Sequence, residues 1–146
     1  MNGLHRRRIV VALAALVLIT SGCSAKATGN TGSASSGGIK TGVGVTADTI
    51  NLGILTDLHG VFASLGASIT NSNKLYWNMQ NANGGVCGRK IALVVKDHGY
   101  DVQQAVPLYQ QLKGQVLSLQ QALGSPINTA LLDQYTQDQM LAIPSA

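Results

Sequence analysis

The chain has 146 residues, a formal net charge of +4 and only 11% charged residues, and glutamate is absent. Three of its ten Lys and Arg residues form the N-terminal cluster Arg6-Arg7-Arg8; without them, seven basic residues face six Asp. This balance speaks against a basic nucleic-acid-binding surface, and the lack of Glu removes a common acid–base carboxylate.

The first predicted element is a secretory signal peptide over residues 1–22. The basic cluster is followed by the apolar run Ile9–Ile19, which is too short to cross a hydrocarbon core of about 30 Å as a helix. A positive start, a short apolar stretch and small residues at its end are typical of a cleaved signal. Arg6-Arg7 leaves both the general and the twin-arginine export routes open.

Cys23 is the predicted lipidation site. The preceding Thr20-Ser21-Gly22 resembles the lipobox of bacterial lipoproteins, whose cysteine sulfur receives a diacylglyceryl group and whose cysteine becomes the new N-terminus. An ordinary secretion signal and an uncleaved anchor are the alternatives. Cys87 is the only other cysteine, so we expect it to be a free thiol or to pair outside these 146 residues.

A flexible tether is predicted for residues 23–45, which are mostly Gly, Ser, Thr and Ala. From residue 46 onward, the sequence pattern alternates between strand and helix signals. Ile50–Leu55 predicts a strand, and a stripe at helical spacing predicts a helix over 65–81 that ends at Asn83-Gly84-Gly85. The stripe consists of Leu65, Ile69, Tyr76 and Met79.

Further strands and helices are predicted in the second half. Ile91–Val95 is apolar on both faces, and Asp101 is expected to cap a helix in which Pro107 causes a kink or a late start. Val116–Ala122 predicts a third strand, and Ser125 is expected to cap a third helix ahead of Pro126. A fourth strand is predicted at 140–143. This order predicts an α/β fold, a parallel open sheet with helices on both faces.

No catalytic residue, metal site or cofactor is predicted. Asp97 and Asp101 are expected to end a strand and cap a helix rather than to act as an acid–base pair. His59 and His98 have no carboxylate or cysteine cluster at ligand spacing. The chain also lacks a Gly-x-Ser-x-Gly elbow, a Cys-x-x-Cys pair and a P-loop.

Three stretches, "INLGILTDLHGVFASLG", "NANGGVCGRKIALVVKDHGYD" and "ALGSPINTA", resemble the N-terminal lobe of type I periplasmic binding proteins. The nearest group is the branched-chain amino-acid (leucine-binding) proteins of ABC importers, and the likeness covers residues 46–146. His59-Gly60-Val61 stands where the family usually has Ser-Gly-Pro. The chain holds most of one lobe and no second one.

The resemblance implies a ligand site at the carboxyl ends of the strands. It implies that Ser125 holds the ligand carboxylate, that Ser145 and Ala146 receive its ammonium and carboxylate, and that Leu65 lies beside its side chain. From the residues alone, Ser125 could equally be a helix cap, and Leu65 a core residue.

The function that the resemblance implies is a lipid-anchored, extracytoplasmic substrate-binding protein of an ABC importer for branched-chain amino acids or similar small solutes. It would be exported, held on the outer face of the membrane and docked on a permease, with no nucleic-acid partner. The alternative is a truncated remnant with no transport activity, and an enzyme on a similar sheet ranks last.

Overall fold

The computed structural model of the protein describes residues 41–145. The predicted signal peptide, Cys23, most of the tether and Ala146 lie outside the described residues. Four strands and three helices alternate within the described range: β1 (Thr49–Thr56), α1 (Ala63–Ala82), β2 (Lys90–Asp97), α2 (Val102–Leu112), β3 (Ser118–Leu123), α3 (Ser125–Gln137) and β4 (Ala142–Ser145).

The four strands form one parallel sheet in the order β2-β1-β3-β4. Helix α1 covers one face, whereas α2 and α3 cover the other. The predicted α/β fold with helices on both faces is therefore confirmed. Because all strands run in the same direction, their carboxyl ends meet at one edge of the sheet. The connections from β1 and β3 lead to opposite sides, β1 to β2 on one side and β3 to β4 on the other, so a switch point of the topology lies between β1 and β3.

The apolar core lies on the face that α2 and α3 cover. Strands β1 and β3 contribute side chains that point to this face, and the two helices contribute inward residues at helical spacing. All ten members of the core cluster are more than nine-tenths buried: Leu55, Ala105, Tyr109, Leu112, Val116, Leu119, Ala122, Ile127, Leu131 and Tyr135.

Helix α1 packs on the opposite face, where Leu52 and Ile54 of β1 are buried and where the fully buried residues of the helix itself are small or polar. A Cβ atom on Gly66 would lie 1.9 Å from the carbonyl oxygen of Asp57, so a residue with a side chain does not fit at this approach of helix and strand. The residues of α1 that are fully buried are Gly66 and Thr70. Three members of the predicted stripe face outward instead, with exposures of 40–60%: Leu65, Tyr76 and Met79.

A buried polar cluster joins α1 to the centre of the sheet. Gln121 on β3 donates from Nε2 to Thr56 Oγ1 at 2.8 Å. Its Oε1 accepts from Thr70 Oγ1 at 3.3 Å and from Asn73 Nδ2 at 3.1 Å. The glutamine is tolerated inside the sheet because both ends of its amide are hydrogen-bonded.

The predicted helix signals in the middle of the chain have mixed outcomes. Asp101 caps α2 as expected, because its side chain accepts from the N–H of Gln103 at 2.7 Å. The helix begins at Val102 and continues through Pro107, so of the two expected effects of this proline the late start is excluded, and the kink stays a prediction. Gly84 and Gly85 have positive φ and follow the end of α1, as predicted.

Part of the predicted tether lies against the sheet. The carbonyl of Gly44 accepts from the N–H of Asn51 at 2.7 Å, and Val45 forms an isolated antiparallel bridge with Ile50. The boundary of the tether at residue 45 stays a prediction. Within residues 41–145, no helix has the length and apolar character that crossing a membrane requires.

Candidate functional site

Two of the predicted ligand residues come together at the carboxyl edge of β3 and β4. Leu123 pairs with Ser145 in the sheet, and the N–H of Gly124 donates to the carbonyl of Ser145 at 2.9 Å. Ser125 follows Gly124 directly. A cavity of about 270 Å³ lies at this point, lined by Ser125, Asn128, Thr129, Pro144 and Ser145.

Ser125 is the first residue of α3 rather than its cap. The cap position is Gly124, with φ 102°, and no side chain caps the helix. The expectation that the Ser125 hydroxyl caps α3 is therefore wrong, because the turn out of β3 needs a left-handed residue one position earlier. Ser125 is exposed, and its hydroxyl makes no hydrogen bond to another described residue.

Ser125 is suitable for binding an anion because it lies at the first turn of α3 and because its hydroxyl is free of described partners. The first N–H groups of a helix have no partner within the helix and carry a partial positive charge. A carboxylate at this point can accept from such N–H groups and from the serine hydroxyl. The local geometry therefore suits the carboxylate contact that the family resemblance implies for Ser125.

Asn128 lines the same cavity and was not predicted from the sequence. Its Nδ2 donates to the carbonyls of Ala122 and Gly124 at 2.8 and 2.9 Å, which fixes the turn from β3 into α3. Its Oδ1 is buried and has no partner among the described residues, and the same is true of Ser145 Oγ. Asn128 lies three positions after Ser125, so the helical spacing alone could have suggested it.

Leu65 lies in the first turn of α1, which places it at the same edge of the sheet. It is 40% exposed, so it is not the core residue that was the alternative. Its contact with a ligand stays a prediction, as do the contacts of Ser145 and Ala146. Ala146 and the predicted lipidation site Cys23 lie outside the described residues.

A histidine and two carboxylates lie close together at the ends of β1 and β2, contrary to the sequence-based expectation. Single ligand atoms of Asp57, His59 and Asp97 all lie within 4.8 Å of one another. The expectation was wrong because the two loops are about 40 residues apart in the sequence and adjacent strands bring them together.

The oxygens of both carboxylates already have partners. Asp57 accepts from the N–H groups of His59, Gly60 and Phe62. Asp97 accepts from the N–H groups of Leu58 and Gly99, and His59 Nδ1 lies 2.7 Å from its second oxygen. The cluster therefore holds the β1–α1 loop against the β2–α2 loop and explains how His59-Gly60-Val61 forms an ordered turn.

These contacts shift the pKa values of all three groups. Burial alone would raise the pKa of Asp57, but the N–H groups of Phe62, Gly60 and His59 outweigh it and hold the pKa below 3.8. Burial would likewise raise the pKa of Asp97, whereas its bond to His59 and two N–H groups lower it. The hydrogen bond to Asp97 raises the pKa of His59.

Cys87 lies in the turn before β2 with φ 50°. It is disulfide-bonded, so the free-thiol alternative does not hold in this structure. Its partner is not among the described residues. A larger groove of about 440 Å³ lies between α3 and β4 and shares Asn128 and Pro144 with the cavity at Ser125.

The fold and its polar strand-end site define a class, the type I periplasmic binding proteins, and comparisons with known proteins agree. The sequence profile of the family described as "Periplasmic binding protein" matches residues 49–146. The chain therefore belongs to the periplasmic binding protein family, a family of solute-binding proteins. No curated protein matches the chain significantly.

Solved structures give the same fold. A fatty acid ABC transporter substrate-binding protein from Thermomonospora curvata is 52% identical with a TM-score of 0.73, and the match covers 74% of this chain and 28% of that one. A substrate-binding protein of an ABC transporter from Aeropyrum pernix is 23% identical with a TM-score of 0.60, covering 67% and 27%. A possible leucine/isoleucine/valine-binding protein from Rhodopirellula baltica SH 1 is 21% identical with a TM-score of 0.57, covering 68% and 27%.

The chain thus spans 27–28% of the length of these relatives. What it contains is part of one N-terminal lobe. The two more distant likenesses support the fold alone.

Proposed function

We propose that this chain is the N-terminal lobe of a lipid-anchored, extracytoplasmic substrate-binding protein of an ABC importer. The observation that carries the proposal is the meeting of Ser125 and Ser145 at the start of α3, beside a cavity and two buried polar atoms without described partners. In open α/β sheets, ligands bind beyond the carboxyl ends of the strands. A second lobe would close over the ligand, and the closed form would dock on a membrane permease.

The proposed ligand is a small carboxylate with an aliphatic portion. Ser125 and the helix start offer donors for the carboxylate, and exposed apolar residues stand at the same edge, among them Leu58, Val61 and Leu65. A branched-chain amino acid and a fatty acid both have this chemistry. Family resemblance favours the first, and the 52% identical fatty-acid-binding relative favours the second.

The occupied carboxylates bear on the choice between these ligands. An amino-acid ammonium needs acceptors, and the oxygens of Asp57 and Asp97 already accept hydrogen bonds from the loops. An ammonium would therefore be received by uncharged acceptors, and Asn128 Oδ1 and Ser145 Oγ are buried atoms of this kind without described partners. The described part of the edge thus suits both ligand classes.

The proposal is tested by thermal denaturation of the full-length protein with leucine, octanoate and palmitate. We expect at least one of these ligands to raise the melting temperature. Ser125→Ala should weaken binding of that ligand about tenfold, the loss expected for one hydrogen bond to a charged group. The melting temperature without ligand should stay unchanged, because the hydroxyl caps nothing. No rise with any of a broad panel of small solutes would overturn the proposal in favour of a remnant without transport activity.

Anchoring is tested by the intact mass of the protein extracted from its native membrane. We expect diacylglycerol on Cys23 and loss of residues 1–22. A lipidated sulfur cannot form a disulfide, so this result requires Cys87 to pair with a cysteine in another part of the protein. An unlipidated species in which Cys23 and Cys87 are joined would contradict the anchor.

A further inference from the structure

Two aromatic rings from different loops pack together at the carboxyl edge of the sheet. Phe62 precedes α1, and Tyr100 precedes α2; their ring centroids are 4.5 Å apart at an interplanar angle of 55°. We call Phe62 and Tyr100 the aromatic pair. Phe62 remains 42% exposed, and Val61 beside it is 81% exposed, so the pair belongs to an apolar surface that is open to solvent.

Tyr100 has a backbone conformation that its side chain disfavours. Its φ is 64°, a left-handed value that is uncommon for a bulky residue and far more common for Gly or Asn. The N–H of Tyr100 donates to Nδ1 of the buried His98 at 2.9 Å, which holds the residue in place. Tyr100 thus places a large ring at a position whose backbone conformation favours Asn or Gly.

The strained turn places the Tyr100 ring directly against the start of α3. A Cβ atom on Gly124 would lie 2.7 Å from Tyr100 Cε2, so the ring occupies the space beside the bare backbone of that glycine. Ser125 is the next residue. The Tyr100 ring, with Phe62 packed against it, therefore forms a wall beside Gly124, the residue that precedes the serine proposed to hold the carboxylate.

We propose that the aromatic pair contacts the aliphatic portion of the ligand and sets the length of chain that the site accepts. This inference rests on the proposed function and goes beyond it, because it assigns Phe62 and Tyr100 to the site. A carboxylate at Ser125 directs the carbon atoms next to it along this wall. Burial of an alkyl chain against the rings removes apolar surface from water on both sides, which favours longer chains.

Binding of octanoate and of leucine to the full-length protein tests the assignment. Tyr100→Asn removes the ring and keeps a residue that tolerates left-handed φ. We expect octanoate affinity to fall about tenfold, the effect of losing an aromatic anchor contact, and leucine affinity to change less. The melting temperature without ligand should stay the same or rise. Tyr76→Ala, which removes a 53% exposed ring from the outer side of α1, is the control and should alter neither affinity.

The outcomes distinguish the two proposals. If the unaltered protein binds leucine but not octanoate, this inference fails and the proposed function still holds. If the unaltered protein binds octanoate and Tyr100→Asn binds it equally well, the aromatic pair is not part of the site and the proposed function still holds. If the unaltered protein binds neither these nor any other small solute, the proposed function itself fails. Should Tyr100→Asn not fold, Phe62→Ala decides the question in the same assay, because its ring is the more exposed of the two.

Discussion

The two faces of the sheet are held by different forces. On the face covered by α2 and α3, ten buried residues form a continuous apolar cluster. On the face covered by α1, the buried Leu52 and Ile54 of β1 lie beside a polar contact between Thr70 and the amide of Gln121. Apolar burial is roughly proportional to area and tolerant of direction, whereas a hydrogen-bonded cluster fixes one arrangement. The α1 face thus adds directional hydrogen bonds to its apolar contacts, and these bonds set where α1 and the loop before it lie.

That positioning reaches the candidate site. Thr56, the partner of Gln121 Nε2, ends β1 and is followed by the β1–α1 loop that carries Phe62. The loop itself is held by the Asp57 carboxylate, which accepts three of its N–H groups. The polar face therefore determines the geometry of the strand-end edge.

The largest effect is expected from Leu131→Ala on the apolar face. Leu131 is fully buried in the core cluster, so its truncation should lower the free energy of unfolding by about 3 kcal/mol. Its neighbour Leu132 is 61% exposed. Leu132→Ala should change stability by less than about 0.5 kcal/mol. Urea unfolding of the full-length protein, followed by circular dichroism, measures both; equal effects would contradict the placement of the core.

A smaller loss is expected from Gln121→Leu on the polar face. The change leaves the hydroxyls of Thr56 and Thr70 and the amide of Asn73 without their shared partner, which should cost about 2 kcal/mol. Gln120→Leu is the matched control, because Gln120 makes no side-chain hydrogen bond to a described residue. If Gln121→Leu proves neutral or stabilising in the same urea assay, the cluster does not hold α1 as described.

The smallest effect concerns pH and Asp57. Because its folded pKa lies below the ordinary value of 3.8, ionised Asp57 stabilises the protein above that pH, and this stabilisation is lost as the pH falls through the folded pKa. Asp57→Asn should therefore cost about 1.5 kcal/mol at pH 7 and progressively less below pH ~4. The Leu131→Ala deficit should not depend on pH in this way. A constant Asp57→Asn deficit from pH 7 to pH 3 would show that charge does not hold the loop.

The strand and helix order was predictable because each signal was local. Ile91–Val95 and the Asp101 cap lie within a few residues of the structure they specify, and both are confirmed. The sequence predicts Ser125 as the cap, but the left-handed turn at Gly124 makes the glycine the cap and starts the helix one residue earlier. The glycine carries no side-chain signal that distinguishes the two positions.

Long-range contacts were not predictable in the same way. The apolar stripe of α1 has the correct helical period, but the period does not say which side of the helix meets the sheet. Gly66 decides that side, because only a residue without a side chain fits against the Asp57 carbonyl. Gln121 finds partners 48 to 65 residues away, and Asp97 finds His59 at 38 residues. No spacing in the sequence shows such pairs.

The hydrogen bond between the N–H of Gly124 and the carbonyl of Ser145 has a thermodynamic consequence for recognition. It ties the loop after β3 to the end of β4, so the two serines are positioned relative to each other when the lobe folds. Ordering two separate loops around a ligand would reduce affinity through lost conformational entropy. Here that entropy is lost during folding, so the proposed site is preorganised before a ligand arrives.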